Sequence, residues 1–273
     1  DCKLVFSALD SSVAGPIEDN FAKNGYVVSS NSKNHRMDED VPLLIPEVNP
    51  EHLQMIKRQK KRLGNGFIVT NPNCSAMGLV IALKPLQDSF GLKKVFVTTM
   101  QALSGAGYPG VASLDILDNV VPYIGGEEEK IESEPLKILG EIRNNKLSFA
   151  DFKISAQCNR VNVKDGHLEA VNIELGKKAD LGQVEDAFSR FNPLKNLNLP
   201  SAPNPPIIIR EEIDRPQPKY DRDLGNGMAV CVGRIRKCNI LDYRFLVLSH
   251  NTVRGAAGAA ILNAELMKVK GLI

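Results

Sequence analysis

The sequence has 273 residues, of which 43% are hydrophobic, so it can bury a sizeable core and divide into two lobes. Lys and Arg number 34 against 32 for Asp and Glu, and the net charge of +2 gives no electrostatic signature of a nucleic-acid or anionic-membrane partner. No apolar run approaches the roughly 20 residues that span a bilayer, and five cysteines without disulfide-type spacing indicate a reducing, cytoplasmic setting.

Strand and helix patterns alternate in the first third of the chain. In order, the pattern predicts a strand over 3–9, a helix over 13–24, a strand over 26–29, a helix over 52–64, a strand over 67–70 and a helix over 75–83. This alternation is typical of a parallel sheet with helices outside. We therefore expect the first lobe to be α/β.

Longer β-rich runs follow from Lys94 onward. Strands are predicted over 95–99, 154–163, 168–175, 207–210, 229–236 and 243–249, and helices over 114–120, 135–144, 182–191 and 255–269. The proline-rich stretch 193–206 reads as a loop. A second lobe built on a large mixed or antiparallel sheet fits this order.

Cys74 is the first candidate for chemistry. It follows an apolar strand and the turn Asn71-Pro72-Asn73, at the predicted start of a helix. Free backbone N–H groups and the helix dipole favour a thiolate at that position, as a nucleophile requires. The alternative is a small buried hydrophobic residue, which most free cysteines are.

A base and a substrate-holding cation are the next requirement. Arg160 and His167 flank a turn at Lys164-Asp165-Gly166, so we expect them to lie on the two arms of one hairpin. His167 can titrate near neutral pH, and Arg160 can bind a carboxylate through two parallel hydrogen bonds. Taken alone, a histidine after Asp-Gly is more often an exposed hairpin residue, and the same applies to Arg160.

Two further stretches carry weaker signals. Gln101 precedes the glycine-rich run 104–110, where glycines allow a close approach of the backbone to a ligand, although a tight turn explains them equally well. The run 127–130 reads as a charged helix start. The four histidines are scattered, without a Cys/His cluster, so we expect no metal.

Five motifs in order resemble the archaeal and fungal branch of the aspartate-semialdehyde dehydrogenases. They are Phe6-Ser7-Ala8-Leu9, Asn71-Pro72-Asn73-Cys74-Ser75, Ser104-Gly105-Ala106-Gly107-Tyr108-Pro109-Gly110, Cys158-Asn159-Arg160-Val161 with Gly166-His167, and Val232-Gly233-Arg234-Ile235-Arg236. The resemblance implies a partial Rossmann-type nucleotide-binding lobe, residues 1–73 and 252–273. It also implies a mixed-sheet catalytic and dimerisation domain over 74–251, of the glyceraldehyde-3-phosphate dehydrogenase type.

The resemblance also implies a role for each candidate residue. Cys74 would be the nucleophile and His167 the general acid/base; Arg160, Glu127 and Gln101 would bind the substrate. Asn73, Lys130 and Arg36 would bind phosphate, and Ser7, Ser104, Gly105 and Asn251 would contact the cofactor.

The implied reaction interconverts L-aspartate 4-semialdehyde and L-4-aspartyl phosphate in the biosynthesis of aspartate-family amino acids. A Cys74 thioester forms on the way, NADP(H) is the cofactor, inorganic phosphate is the co-substrate, and a homodimer or homotetramer is expected. Two separate cationic sites, Arg160 and Lys130 with Arg36, would allow a phosphate to approach beside a bound carboxylate.

The family's glycine-rich pyrophosphate turn is not found before Lys3. We therefore expect this chain to lack at least one βαβ unit of the nucleotide-binding lobe and, by itself, to bind NADP poorly.

Three other functions fit parts of the pattern. A malonyl-CoA reductase shares the Cys-His logic but has no substrate amino group for Glu127 to pair with. N-acetylglutamyl-phosphate reductase differs around the cysteine. A non-catalytic remnant kept for dimerisation is the third, although it would not require every chemical residue.

Overall fold

The computed structural model describes residues 2–144 and 146–273. Its strands are β1 (Leu4–Ser7), β2 (Val27–Ser30), β3 (Phe67–Thr70), β4 (Leu92–Gln101), β5 (Glu141–Arg143), β6 (Lys146–Ser148), β7 (Lys153–Arg160), β8 (His167–Leu175), β9 (Ile207–Arg210), β10 (Val230–Lys237) and β11 (Tyr243–Ser249). Its helices are α1 (Ser11–Lys23), α2 (Ile56–Leu63), α3 (Cys74–Phe90), α4 (Ser113–Ile116), α5 (Glu127–Ile138), α6 (Leu181–Arg190), α7 (Pro218–Asp221) and α8 (Gly258–Val269). Short 3-10 turns cover Pro50–Met55 and Leu103–Ala106, and a π-helical turn covers Val253–Ala257.

The first sheet has the order β1-β2-β3, and both pairings are parallel. Ser7 lies opposite Ser30, which in turn lies opposite Thr70, so the three strands end side by side. Loops that leave this edge therefore meet in one place. The α/β prediction for this part of the chain is confirmed.

The second sheet has the order β7-β4-β8-β11-β10-β9. The outer pairs β4–β7 and β10–β9 are parallel, while the inner pairs are antiparallel. Helix α3 packs on this sheet with its fully buried Leu79 and Leu83 in the same core as Val97 and Val171. The predicted large mixed sheet is confirmed.

The predicted hairpin of Arg160 and His167 is wrong. Strand β4 lies between β7 and β8 and pairs with both along its length. The connection after Arg160 pairs instead with the chain that leaves β4, because Leu103 N–H donates to Val163 O at 2.8 Å and Ser104 N–H to Lys164 O at 3.1 Å. Arg160 and His167 nevertheless end up at the same end of the sheet, on either side of Gln101.

Three predicted helices are also wrong in extent. Helix α3 continues to Phe90, beyond the predicted end at 83. Residues 141–143 pair with 146–148 as strands instead of continuing a helix, since a Cβ at Gly140 would lie 2.5 Å from the Ser148 carbonyl oxygen and the chain must turn there. The helix in question, α5, starts at Glu127, which confirms the charged run as a helix start. Helix α4 stops at Ile116, because Asp118 adopts a left-handed φ of 55°.

Among the described residues, no helix has both the length and the apolar character that crossing a membrane requires. The same residues contain no group of three or more His, Cys, Asp or Glu side chains that could hold a metal ion.

Candidate active site

Cys74 is the first residue of α3, as the sequence predicts. Asn73 caps this helix, with its Oδ1 accepting hydrogen bonds from Ser75 N–H at 2.9 Å and Ala76 N–H at 3.2 Å. The π-helical turn lies against the thiol-bearing residue, so closely that a Cβ at Gly255 would be 2.6 Å from the Cys74 Cβ. The nucleophile candidate is thus fixed from two directions.

His167 reaches Cys74 from the start of β8, with Nε2 at 3.2 Å from Sγ. Its other ring nitrogen, Nδ1, accepts a hydrogen bond from the Ala102 backbone N–H at 3.0 Å. Because a backbone N–H can only donate, neutral His167 carries its proton on Nε2, the nitrogen that faces the sulfur. The imidazole therefore presents a donor to Sγ and to any oxygen placed beside it.

Burial sets the protonation of both groups. It raises the pKa of the Cys74 thiol to about 12, and the Glu127 charge adds to this effect. It lowers the pKa of His167 to about 3, with a further contribution from the cation of Arg160. The arrangement is therefore a thiol beside a neutral imidazole, whereas the sequence alone favoured a thiolate and a histidine that titrates near neutral pH.

The Glu127 carboxylate lies at the centre of the neighbouring polar cluster and is only 7% exposed. It accepts hydrogen bonds from Lys130 Nζ at 2.6 Å, Gln101 Nε2 at 3.2 Å and Asn73 Nδ2 at 2.9 and 3.0 Å. Burial raises its pKa, but these donors outweigh burial, so the pKa lies below its usual value. Glu127 is a carboxylate at neutral pH.

Arg36 comes from the loop after β2 and meets a residue that the sequence analysis missed. Its Nη1 donates to Glu134 Oε1 at 3.0 Å, and the second oxygen of Glu134 accepts from Asn73 N–H at 2.6 Å. Glu134 thus joins the cation to the cap of α3. Its only sequence signal is its spacing seven residues after Glu127, which places both carboxylates on one face of α5.

Arg160 lies beside His167 with its guanidinium fixed by Ala102, whose carbonyl oxygen accepts from Nη1 at 2.6 Å. Gly105 is the residue that makes room for this pair. A Cβ at Gly105 would lie 2.9 Å both from Arg160 Nη1 and from His167 Cε1. Any side chain at this position would displace one of them.

Asn251 and Ser104 support the same corner. Asn251 Nδ2 donates to Ser104 Oγ at 2.8 Å, and its Oδ1 accepts from Gly166 N–H at 2.8 Å, one residue before His167. Ser7, in contrast, donates its hydroxyl to Glu18 Oε1 at 2.5 Å. Ser7 does not line the cavity that contains Cys74.

A cavity of about 490 Å³ lies between the two sheets at this point. The site candidates that line it are Arg36, Asn73, Cys74, Ser104, Gly105, Lys130 and Asn251, together with Ser11, Asn31, Lys33 and Thr252. A larger cavity of about 860 Å³ lies on the Phe96 face of the six-stranded sheet and is lined by none of the predicted site residues.

Known proteins are similar to this chain over nearly its whole length. The family model of the semialdehyde dehydrogenase dimerisation domain matches residues 83–254, and that of the semialdehyde dehydrogenase NAD-binding domain matches residues 1–56. The chain is 59% identical over 268 residues to aspartate-semialdehyde dehydrogenase of Archaeoglobus fulgidus, covering 98% of this chain and 77% of that protein. It is 49% identical over 282 residues to the Schizosaccharomyces pombe enzyme of the same name, covering 100% and 79%.

A solved structure is similar in shape as well as in sequence. The crystal structure of Candida albicans aspartate-semialdehyde dehydrogenase with NADP superposes with a TM-score of 0.91 at 44% identity and covers 100% of this chain and 79% of that one. The superposition covers both sheets of this chain.

Proposed function

The chain belongs to the aspartate-semialdehyde dehydrogenase family, and we propose that it catalyses the NADP-dependent, phosphate-dependent interconversion of L-aspartate 4-semialdehyde and L-4-aspartyl phosphate. This is a step in the biosynthesis of the aspartate-family amino acids threonine, methionine, isoleucine and, in some organisms, lysine. The observation that carries the proposal is the 3.2 Å approach of His167 Nε2 to Cys74 Sγ at the start of a capped helix.

NADP fits the cavity between the sheets. Gly105 and Gly255 line this cavity without adding side chains to it, and Ser11, Asn31 and Thr252 supply polar groups around it. NADP, when bound, would accept a hydride in the oxidative direction and donate one in the reductive direction. A relative, the Candida albicans enzyme, has been solved with NADP.

The Cys74 thiol loses its proton to solvent and the sulfur adds to the aldehyde carbon, so that a C–S bond forms while the electron pair of the C=O π bond moves onto the oxygen. His167 donates its Nε2 hydrogen bond to that oxygen, because its Nδ1 is occupied by the Ala102 N–H. Loss of hydride from the same carbon leaves a thioester on Cys74. Phosphate oxygen then attacks the thioester carbon, the C–S bond breaks and aspartyl phosphate leaves.

Arg160 and Glu127 hold the two charged groups at the far end of the substrate. Among the described residues, the Arg160 guanidinium donates to the Ala102 carbonyl oxygen alone, which leaves N–H groups for a bidentate bond to the α-carboxylate. Glu127, a carboxylate at neutral pH, pairs with the α-amino group. Gln101, bonded to Glu127 at 3.2 Å, orients the acyl group between them.

Phosphate is held by Lys130 and Arg36 beside Asn73. Within residues 2–144 and 146–273, the buried Arg36 Nε has no hydrogen-bond partner, although the side chain lines the cavity. A buried donor without a partner costs roughly 1–3 kcal/mol. An anion bound at this point would satisfy it.

The test is NADPH formation by the purified protein from L-aspartate 4-semialdehyde, with and without inorganic phosphate, at an NADP concentration raised until the rate no longer increases, because the sequence predicts weak NADP binding. We expect phosphate-dependent turnover that a Cys74→Ser variant loses, while a Cys158→Ser variant retains it. Cys158 is the control because it is a free cysteine in β7 that does not line the cavity. Turnover without phosphate, or equal turnover in Cys74→Ser, would overturn the proposal.

A further inference from the structure

The Glu127 carboxylate has no acceptor site to spare. Oε1 accepts from Lys130 Nζ at 2.6 Å and Asn73 Nδ2 at 3.0 Å, while Oε2 accepts from Asn73 Nδ2 at 2.9 Å and Gln101 Nε2 at 3.2 Å. A carboxylate has about four lone-pair sites, and four contacts occupy them. A substrate amino group can therefore bind Glu127 only in place of one of these donors.

Of the three donors, Lys130 is the one that can leave. Asn73 is 5% exposed and is fixed by capping α3, and Gln101 is 1% exposed at the end of β4. The Lys130 side chain is 26% exposed, lines the cavity and carries its charge on a flexible four-carbon stem. An incoming ammonium group has the same charge as Lys130 and replaces it without leaving Glu127 unpaired.

We propose that the substrate's α-amino group displaces Lys130 from Glu127, and that the released Lys130 ammonium then completes the phosphate site. This inference rests on the proposed function and adds a coupling between its two substrates. Phosphate binds well only after the amino-acid end of the substrate has bound. Lys130 acts as the positioning residue that transmits the first event to the second.

The charges around the cavity support this order. Arg36 is already compensated, since its Nη1 pairs with Glu134 at 3.0 Å. The charge of Lys130 is neutralised only while its Nζ stays paired with Glu127 Oε1, at 2.6 Å. Once an ammonium group takes Glu127, one positive charge is left over, and a phosphate anion neutralises it. Lys33 also lines the cavity, but it is exposed to solvent and its charge does not depend on Glu127.

The coupling gives a specificity that pairwise contacts do not. An aldehyde with a carboxylate but no α-amino group could still bind Arg160 and react with Cys74. Lys130 would then remain on Glu127, phosphate would bind weakly, and the thioester would lack the phosphate nucleophile that releases it. Selection for the amino group thus acts at the phosphate step as well as at binding.

The experiment is calorimetric titration of inorganic phosphate into the protein in saturating L-2-aminobutyrate or in saturating butyrate. Both ligands offer a carboxylate to Arg160 and neither reacts with Cys74, but only the first carries an amino group. We expect the phosphate Kd to be at least about fivefold lower with L-2-aminobutyrate, the lower end of common coupling strengths.

Two variants identify the residue responsible. Lys130→Met should abolish the difference between the two ligands, and Glu129→Gln, an exposed position on the same helix, should preserve it. Equal phosphate Kd values in the wild type, or a difference that persists in Lys130→Met, would overturn the coupling. Phosphate-dependent NADPH formation with equal Kd values would leave the proposed reaction standing, whereas intact coupling with phosphate-independent turnover would overturn the reaction alone.

Discussion

The reactivity of Cys74 depends on its burial and on the charged side chains around it. Burial and the Glu127 carboxylate oppose ionisation of the thiol, while the Arg36 and Arg160 cations and the Ser75 backbone N–H favour it. The first two dominate, and the pKa rises to about 12. A cysteine that stays a thiol at neutral pH is protected from unwanted oxidation and alkylation.

We predict that alkylation of Cys74 by iodoacetamide, without substrate or cofactor, accelerates about tenfold for each pH unit between about pH 7 and 10. The reason is that the thiolate fraction grows in this proportion below a pKa of about 12. Mass spectrometry of the labelled peptides measures the rate, with the exposed Cys2 as an internal reference. A Cys74 rate that levels off below about pH 9 would contradict a raised pKa.

His167 should remain a neutral donor throughout the physiological range. Its pKa is lowered to about 3, so protonation of the ring contributes no acid limb to kcat/KM near pH 6.5. We expect His167→Ala, which removes the Nε2 N–H donor, to lose about 10²- to 10³-fold in kcat. Its pH profile between about pH 5 and 8 should keep the wild-type shape. An acid limb near pH 6.5 that disappears in the variant would show that His167 titrates there.

At the scale of elements, the π-helical turn Val253–Ala257 explains how α8 reaches Cys74. Arg254 within it is fully buried and binds Glu47 through two hydrogen bonds, at 2.8 and 2.7 Å. The Ala256 carbonyl oxygen accepts from Asn71 Nδ2 at 3.0 Å. These bonds fix the turn at a position where only a glycine fits over the thiol-bearing residue.

Gly255→Ala should therefore impair both folding and catalysis. The new Cβ would lie 2.6 Å from the Cys74 Cβ, so α3 or the turn must move. We expect a loss of about 1–3 kcal/mol in the free energy of unfolding and up to about 10²-fold in kcat. Denaturant titration and steady-state kinetics measure these effects.

The matched control is Gly182→Ala, another glycine in a helix. Its Cβ would meet only Asp180 Oδ1, at an ordinary 3.4 Å. This variant should keep wild-type kcat and lose no stability. Wild-type kcat in Gly255→Ala would mean that the turn does not position Cys74.

The sequence predicted what local patterns determine. The strand at Phe67–Thr70 and the helix start at Cys74 each carry a signal within a few neighbours. The roles of Glu127, Lys130 and Asn73 were predicted only from the family resemblance. The strand that pairs with β7 has no such local signal. The choice between β8 and β4 depends on pairing between strands that are far apart in the sequence. Glu134 was missed for a similar reason, since only the tertiary fold buries it.

The protonation states were mispredicted for a related reason. A helix start and a nearby histidine are visible in the sequence, and both suggest a reactive thiolate. The depth at which Cys74 and His167 are buried is not visible, because elements distant in sequence cover them. Burial, the larger effect, therefore reversed the expected direction for both groups.

Helix α5 holds the loop after β2 of the first sheet in place against the second sheet. Glu134 binds Arg36 from the first lobe, and the fully buried Lys137 donates to the carbonyl oxygens of Arg36, Asp38 and Val41 at 2.6, 2.7 and 2.9 Å. The loop that carries the proposed phosphate cation thus has a fixed position relative to Glu127. Of the proposed phosphate-binding cations, Arg36 is therefore in place before any substrate binds, and only Lys130 has to move.

The other face of the six-stranded sheet presents apolar groups to the outside. Phe96 is 43% exposed and Ile240 is 92% exposed, and both line the cavity of about 860 Å³. Apolar patches of this kind mark interfaces, and these residues lie within the region that matches the semialdehyde dehydrogenase dimerisation domain, 83–254. A second copy of this chain is the partner that accounts for both observations.

We therefore predict that Phe96→Glu weakens self-association by at least about 30-fold, because a buried charge without a partner would replace an aromatic contact. Analytical ultracentrifugation over a dilution series measures the effect, and circular dichroism checks that the subunit stays folded. Tyr220→Glu is the control, since Tyr220 is a 57% exposed aromatic residue that does not line this cavity. If Phe96→Glu sediments like the wild type at every concentration, the contact between copies lies on another surface, and the exposed face of this sheet needs a different explanation.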